Sequence, residues 1–264
     1  MRKNTAWMLA LLLPLAALGI ACGGGGGGAP TAEAPAPAPA PSASAPAAPA
    51  GGTGSVKGLI SYANGDPDTA IKMDADPVCA GLHKEAAMTE KIVGDGAGHL
   101  ANVFIYVKSG LSGGPWPAPA TAATIDQHGC QYHPHVQGVM VGQKIEIVNS
   151  DATLHNIHAH PTVNAEFNQG QPFQGMKMEH TFDKPEVMIP FRCDVHPWMA
   201  SYMAVLDNPF FAVSKADGSY EIPNLPAGTY TLEAWHEELG TQTMQVTVAA
   251  GGAADANFDF KPKA

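Results

Sequence analysis

The loop Cys193-Asp194-Val195-His196-Pro197-Trp198-Met199 carries a thiol, an imidazole and a thioether, with two residues between each successive pair. It follows the apolar run Val187–Cys193, which is rich in strand-forming residues and which we predict to be a strand. On a loop this tight, the side chains of Cys193, His196 and Met199 can all point at one ion. The loop is therefore one half of a candidate metal site.

The other half lies upstream. The predicted strand Lys144–Asn149 alternates apolar and polar residues and is followed by a turn that leads to His155. A thiolate, two imidazoles and a weak thioether form the trigonal set that suits copper shuttling between Cu(I) and Cu(II). Taken singly, Cys193 could instead be a disulfide partner, His196 a surface histidine and Met199 a core residue. Taken together, they predict one copper per chain, with the ligands His155, Cys193, His196 and Met199.

Residues 120–207 resemble a cupredoxin of the plastocyanin, pseudoazurin and amicyanin kind. The short Cys-x-x-His-Pro-x-Met loop is similar to that of amicyanin, and Leu154 stands where a Pro is usual before the first His ligand. The resemblance implies the same four ligands. It also implies that Asn156 hydrogen-bonds across to the cysteine loop and so fixes the ligand geometry.

This resemblance implies that the protein transfers one electron at a time. We expect no enzymatic activity. The imidazole edge of His196 would then reach the surface, and Pro197 and Trp198 would form an apolar rim for a redox protein such as a cytochrome or a dehydrogenase. Two alternatives stay open. The copper could be structural in an adhesion, carbohydrate-binding or scaffolding sandwich, or the protein could store or deliver copper and hold more than one ion.

The C-terminal part has its own pattern. Ala216–Tyr220 reads as an Asp-Gly turn feeding a strand, and Pro223–Tyr230 as a turn into the next strand. This pattern resembles the carboxypeptidase regulatory-like, prealbumin-like sandwich modules. In such modules a Gly-x-Val/Ile strand and a second apolar strand precede the Asp-Gly turn. Here the matching stretches, Val56–Ile60 and Asn102–Val107, lie far upstream.

That gap predicts an all-β chain with nested domains. A cupredoxin Greek-key β-sandwich (119–208) would be inserted in a prealbumin-like β-sandwich (55–118 plus 209–264). A long insertion costs little, because loop-closure entropy grows only logarithmically with length. Two consecutive domains are the alternative, but the C-terminal piece alone is too short to close a sandwich.

Short β-branched and aromatic runs separated by Gly, Pro, Asn and Asp support the all-β prediction along the rest of the chain. A short helix is predicted only at Ala80–Thr89. The remaining predicted strands are Ser55–Tyr62, Val103–Lys108, Met203–Leu206, Tyr220–Ile222, Thr229–His236, Gln242–Ala249 and Phe258–Phe260.

The N-terminal segment predicts export. Residues 1–21 have the charged start and apolar run of a signal peptide, and small residues precede Cys22 as in a bacterial lipoprotein. The Gly-, Ala- and Pro-rich stretch 22–54 predicts a disordered tether. Over the whole mature chain, the sequence resembles bacterial methylamine-utilisation-like lipoproteins, and the shared stretches are the loop Cys193–Met199 and Leu232–Glu237. We therefore expect lipidation at Cys22, a membrane anchor, and a periplasm-facing or surface position in the bacterial cell envelope.

Charge and cysteine count add two limits. The net charge of -10 argues against binding to nucleic acid and allows docking to a basic partner. If Cys22 carries lipid, three cysteines remain, so one is unpaired. With Cys193 as the copper thiolate, a disulfide between Cys79 and Cys130 is the favoured arrangement. Two free thiols are the alternative.

Other candidate sites are weaker. A second metal could bind His128, His133 and His135, or His158 and His160, but no carboxylate stands at a spacing that completes a cage. A stripe of Met176, Met178 and His180 is similar to copper-loading segments, although such Met residues more often pack in a core. His236 is predicted to be structural. The sequence shows neither the many paired histidines of a multicopper oxidase nor a hydrolase constellation.

Overall fold

The computed structural model describes residues 51–63 and 68–262. The predicted signal peptide (1–21), Cys22 and the tether as far as residue 50 lie outside this range. The first strand begins at Thr53, so the last two residues of the predicted tether belong to a strand. Across the described ranges, no helix is both long and apolar enough to cross a bilayer.

Within residues 51–63 and 68–262, the regular structure consists of seventeen strands and one short helix, α1 (Pro77–Leu82), which confirms the all-β fold class. The strands are β1 (Thr53–Ser61), β2 (Phe104–Ser109), β3 (Ala123–His128), β4 (Gln131–His133), β5 (Val136–Met140), β6 (Ile145–Asn149), β7 (His155–Ala159), β8 (Phe167–Gln171), β9 (Lys177–His180), β10 (Glu186–Arg192), β11 (Ala200–Leu206), β12 (Phe211–Val213), β13 (Ser219–Pro226), β14 (Gly228–His236), β15 (Gly240–Val248), β16 (Ala253–Asp255) and β17 (Phe258–Asp259).

One sandwich combines strands from both ends of the chain. In its first sheet β1 lies between β13 and β16 and also pairs with β17, and its second sheet runs β12-β2-β14-β15. Val56, Ile105 and Leu232 are fully buried in the core that the two sheets share. Strands β1 and β2 therefore complete two sheets. All the other strands of these sheets lie in the C-terminal part of the chain, from Phe211 onward.

The second sandwich is made of the strands between Ala123 and Leu206. Its sheets run β5-β11-β10-β7-β8 and β4-β3-β6-β9. Ile125, Ile147 and Phe191 are buried between them. Because period-two alternation places every second side chain in this core, β7 and β10 can each direct a side chain inward where the strand starts or ends. The domain boundaries at residues 118 and 208 stay a prediction.

Aromatic side chains join the two sandwiches. Phe104 and Phe211 stack with ring centroids 5.6 Å apart. They lie against Gly138, where a Cβ atom would come within 2.6 Å of Phe211 and 2.7 Å of Phe104. A second contact joins β11 to β14, where the ring centroids of Tyr202 and Trp235 are 5.0 Å apart. Only a residue without a side chain fits at position 138, so the junction depends on that glycine.

Residues 68–92 form a segment that we name the cap segment. Its base is closed where Asp68 accepts a hydrogen bond from the backbone N–H of Glu90, 2.6 Å away. The predicted helix Ala80–Thr89 is wrong in its position, because α1 begins at Pro77 and ends at Leu82. The helix starts earlier because the side chain of Asp76 caps it, accepting hydrogen bonds from the N–H groups of Val78 and Cys79. The proline that follows, Pro77, is also favoured in the first turn of a helix.

Candidate metal centre

The turn between β6 and β7 positions His155. The buried Asn149 side chain donates to the carbonyl of Thr153 (2.8 Å) and accepts from the N–H of Asp151 (2.9 Å). These two bonds fold the chain back so that β7 starts at His155, whose side chain is fully buried. The turn also places Asp151 against Nε2 of His155, at 2.9 Å.

The second segment is the loop between β10 and β11. The N–H of His196 donates to Sγ of Cys193 at 3.4 Å, and the N–H of Met199 donates to the carbonyl of His196 at 2.9 Å. Asn156 braces this loop from β7, because its Oδ1 accepts from the N–H of Asp194 at 2.6 Å. The structure therefore gives Asn156 the cross-strand bond that the resemblance implies.

The two segments bring three donor side chains together. Nδ1 of His155 lies 2.9 Å from Nδ1 of His196, and Sγ of Cys193 lies 3.8 Å from the same nitrogen of His196. One atom from each residue falls within 4.8 Å of the others. At most 2% of each residue is exposed, so this group is shielded from water.

Carboxylates hold the outer nitrogens of both imidazoles. Asp151 accepts from Nε2–H of His155, and Asp76 accepts from Nε2–H of His196 at 3.0 Å. In the neutral rings, both Nδ1 atoms then present lone pairs to each other across 2.9 Å. A proton on one Nδ1 atom, or a metal ion between the two, satisfies this pair, and carboxylate-oriented imidazoles are what metal sites commonly use. The donor set of this structure thus fits a copper ion.

The acid–base properties of the group agree with that fit. Burial disfavours ionisation of Cys193, but hydrogen bonds from His155 and from backbone N–H groups outweigh it and lower the pKa of the thiol. Burial likewise opposes the charged form of His155, yet Asp151 and Cys193 raise the pKa of its imidazole. A thiolate is therefore easier to form here than at an ordinary buried cysteine, which is what a thiolate ligand needs.

Met199 is fully buried in the same apolar cluster as Cys193. Its position as a fourth, axial ligand stays a prediction.

The described cysteines comprise one disulfide and one free thiol. A disulfide with an S–S distance of 2.04 Å joins Cys79 to Cys130, and Cys193 is free.

The prediction of an exposed His196 edge is wrong. Only 2% of His196 is exposed, because Asp76 and the start of α1 lie over its Nε2 atom. Sγ of Cys79 is 3.6 Å from that nitrogen, so the disulfide fastens the cap segment directly above the ligand. Sequence reasoning missed Asp76 because it is 120 residues away from His196. Its one local signal is the pair Asp-Pro at a helix start.

The two residues of the predicted docking rim are placed differently. Pro197 is exposed, whereas Trp198 is half-buried with its ring centroid 5.0 Å from that of His196. The indole N–H of Trp198 donates to the carbonyl of Cys130 at 3.1 Å. Trp198 thus lies between the imidazole of His196 and the backbone of Cys130 at the disulfide.

The other sequence candidates separate into distinct environments. The rings of His128 and His133 are 6.5 Å apart, while His135 is buried and paired with Glu237. Among the described residues, these three histidines do not form a three-ligand group. His180 stacks on the ring of Phe167 at 4.0 Å and is part of the packing.

Known proteins match the two halves of the chain in different ways. A family model of the carboxypeptidase regulatory-like domain matches residues 207–261. No curated protein matches the chain by sequence. Among solved structures, the copper-containing nitrite reductase from Thermus scotoductus SA-01 is 22% identical, with a TM-score of 0.29, and the match covers 37% of this chain and 25% of the reductase.

Two smaller proteins are matched along almost their whole length. The purple cupredoxin from Nitrosopumilus maritimus is 23% identical over 31% of this chain and 98% of its own, with a TM-score of 0.28. A variant of amicyanin in the Cu(I) form is 21% identical over 39% of this chain and 98% of its own, with a TM-score of 0.29. At these identities and scores, the case for a metal rests on the side chains of this chain. The chain contains a carboxypeptidase regulatory-like domain, and its structural neighbours are cupredoxins.

Proposed function

We propose that this chain is an extracytoplasmic type 1 copper protein that carries one electron and performs no catalysis. The observation that carries the proposal is the pair of Nδ1 atoms of His155 and His196, 2.9 Å apart and beside the Cys193 thiol. Copper would supply the one-electron change between Cu(I) and Cu(II). The residues of the chain hold the donor atoms in a setting that is buried from water.

The electron has a route that does not need an exposed His196 edge. Trp198 is half-buried and its ring lies next to that of His196, while Pro197 is exposed beside it. We propose that a redox protein, such as a cytochrome or a dehydrogenase, docks on Pro197 and Trp198. The indole would then bridge the partner and the buried imidazole.

The test is spectroscopy of the purified mature protein loaded with copper. We expect an intense visible thiolate-to-copper band, a narrow hyperfine splitting in the electron paramagnetic resonance spectrum, and reversible one-electron reduction. Cys193→Ala should abolish the band, whereas Met203→Leu, a change in the same buried cluster, should leave it in place. A missing band, together with unchanged copper binding in Cys193→Ala, would show that the copper is structural or is bound elsewhere.

We also propose that the protein is anchored in the bacterial cell envelope through lipid on Cys22. The disulfide between Cys79 and Cys130 supports an oxidising compartment, because such bonds rarely persist in the cytosol. Labelling of the expressed protein with a radioactive fatty acid tests the anchor. Label should appear in the wild type and be lost in Cys22→Ala. Equal labelling of the two proteins would rule out this anchor.

A further inference from the structure

A second group of metal-binding side chains lies on the opposite face of β7. His155, at the start of the strand, points into the copper sandwich, whereas His158 lies on the other face and is half-buried. His160, two residues further, follows on that same face and is exposed. The rings of His158 and His160 lie 3.9 Å apart.

The carboxylate that the sequence did not reveal comes from the neighbouring strand. Glu166 immediately precedes β8, which runs antiparallel to β7 with Ala159 opposite Phe167. Its Oε1 atom is 2.6 Å from Nε2 of His158. One ligand atom each from His158, His160 and Glu166 lies within 4.8 Å of the other two. The expectation that no carboxylate completes this group is therefore wrong.

Asp194 orients His158 from behind. Its carboxylate accepts from Nδ1–H of His158 at 3.1 Å, and it is itself held by the side-chain N–H groups of Asn168 (2.6 Å) and Asn156 (3.2 Å). Glu166 and Asp194 both raise the pKa of His158, so without an ion the protonated ring donates its Nε2–H to Glu166. A divalent ion would replace that proton and bind Nε2 of His158 and the Glu166 carboxylate together.

We propose that His158, His160 and Glu166 form a second, solvent-open site for a divalent ion of the zinc class, Zn²⁺ or Cu²⁺. Two imidazoles and a carboxylate, with positions left for water, are the donor set of open zinc sites. Imidazole also suits Cu²⁺, which binds nitrogen and oxygen donors more tightly than Zn²⁺ does. Asp194 completes the carboxylate–histidine–metal arrangement that orients such ligands.

Hydrogen bonds connect the second site to the first. Asp194 follows Cys193, Asn156 follows His155, and the bond between the N–H of Asp194 and Oδ1 of Asn156 is 2.6 Å long. Asp194 and Asn156, which brace the cysteine loop, thus also bond to each other through the carboxylate that orients His158. An ion at the second site would hold that brace more firmly.

The test is a titration of copper-loaded full-length protein with Zn²⁺, followed by equilibrium dialysis with metal analysis and by nuclear magnetic resonance of the histidine rings. We expect one further ion per chain and shifts of the His158 and His160 ring signals. His160→Ala and Glu166→Gln should each weaken binding by at least about tenfold. Their matched controls, His133→Ala and Glu179→Gln, should leave it unchanged.

Each outcome separates this inference from the proposed function. A visible copper band without any Zn²⁺-dependent ring shift overturns the second site and leaves the copper centre intact. Zn²⁺-dependent shifts without a visible band do the reverse. Binding that His160→Ala and Glu166→Gln do not weaken also overturns the site. With Cu²⁺ as the probe, a second resonance signal lacking a thiolate band should appear and be lost in the same two variants.

Discussion

The carboxylate of Asp76 lies 3.0 Å from Nε2 of His196, although the two residues are 120 positions apart in the chain. Asp76 is also the N-cap of α1, and that helix is tied by the disulfide between Cys79 and Cys130 to the second sandwich, which is made of the strands between Ala123 and Leu206. Asp76 therefore joins the cap segment to His196, a candidate metal ligand. The pKa of Asp76 is lowered, first of all by this bond to His196, so the carboxylate stays ionised beside the ligand.

The Asp76 charge should favour Cu(II) over Cu(I), because a negative charge next to the ligand stabilises the more positive ion. Asp76→Asn keeps an N-cap acceptor for α1 and removes the charge. We expect the reduction potential to rise on the order of tens of millivolts, as one electron changes hands at 59 mV per tenfold change in equilibrium constant. Voltammetry measures this directly. Asp74→Asn, an exposed change in the same segment, should shift the potential much less.

The disulfide should contribute strongly to stability. It closes a loop with a sequence separation of 51, for which the chain-entropy relation gives about 4 kcal/mol. We expect Cys79→Ser combined with Cys130→Ser to lower the free energy of unfolding by roughly 2 to 4 kcal/mol. Amide exchange should accelerate in residues 68–92. Removing a lesser cap contact, the bond from His83 to the carbonyl of Gly129, should cost far less in the His83→Ala variant. Equal losses in both would contradict the fastening role of the disulfide.

Asn156 should govern how well the cysteine loop is held. Its side chain bonds the N–H of Asp194 and the side chains of Asn168 and Asp194. Asn156→Ala breaks all of these, so we expect copper affinity to fall by about 10- to 100-fold, the range found for residues that orient metal ligands. Competition with a copper chelator measures the change. Gln169→Ala, an exposed neighbour on β8, should bind copper as the wild type does.

The sequence predicts the residues of the site that belong to a short motif, and it does not predict the carboxylates that contact them. The sequence predicts that His155, Cys193 and His196 lie together, because each is beside a strand end in a short motif whose spacing constrains its geometry, and the structure does bring their donor atoms within 4.8 Å of one another. Asp151 was missed, although it precedes His155 by only four residues, because a lone carboxylate in a turn has many ordinary roles. Asp76 could not be assigned, since its contact depends on where the cap segment folds.

The secondary structure shows the same limit. Long runs such as β14 were predicted nearly to the residue, because apolar alternation is a local signal. Short strands such as β8 (Phe167–Gln171) were missed, since most of its side chains are polar and are held by pairing with β7. The carboxylate of Glu166, and with it the second candidate site, depends on that pairing.

Glu186 should make the stability of the second sandwich sensitive to acid. Burial works against its ionisation, but bonds from the N–H groups of Thr162 and Asn164 and from their side chains lower its pKa from 4.5 to about 2. A lowered pKa stabilises the fold above pH 4.5, and this contribution is lost as the pH falls toward 2. The shift corresponds to about 3 kcal/mol. Denaturation at several pH values should show this loss in the wild type and a much flatter profile in Glu186→Gln.

Met199 decides whether the centre has an axial sulfur. Met199→Leu conserves volume, so the free energy of unfolding should fall by less than about 1.5 kcal/mol whichever role the thioether has. If Met199 is the axial ligand, the visible band should persist while the reduction potential rises, because the weak sulfur donor that tunes the site is gone. Met203 offers a matched control, since it is 1% exposed in the same cluster. Met203→Leu should leave the potential unchanged. Identical potentials in the wild type and both variants would assign Met199 to packing alone and reduce the copper ligands to three.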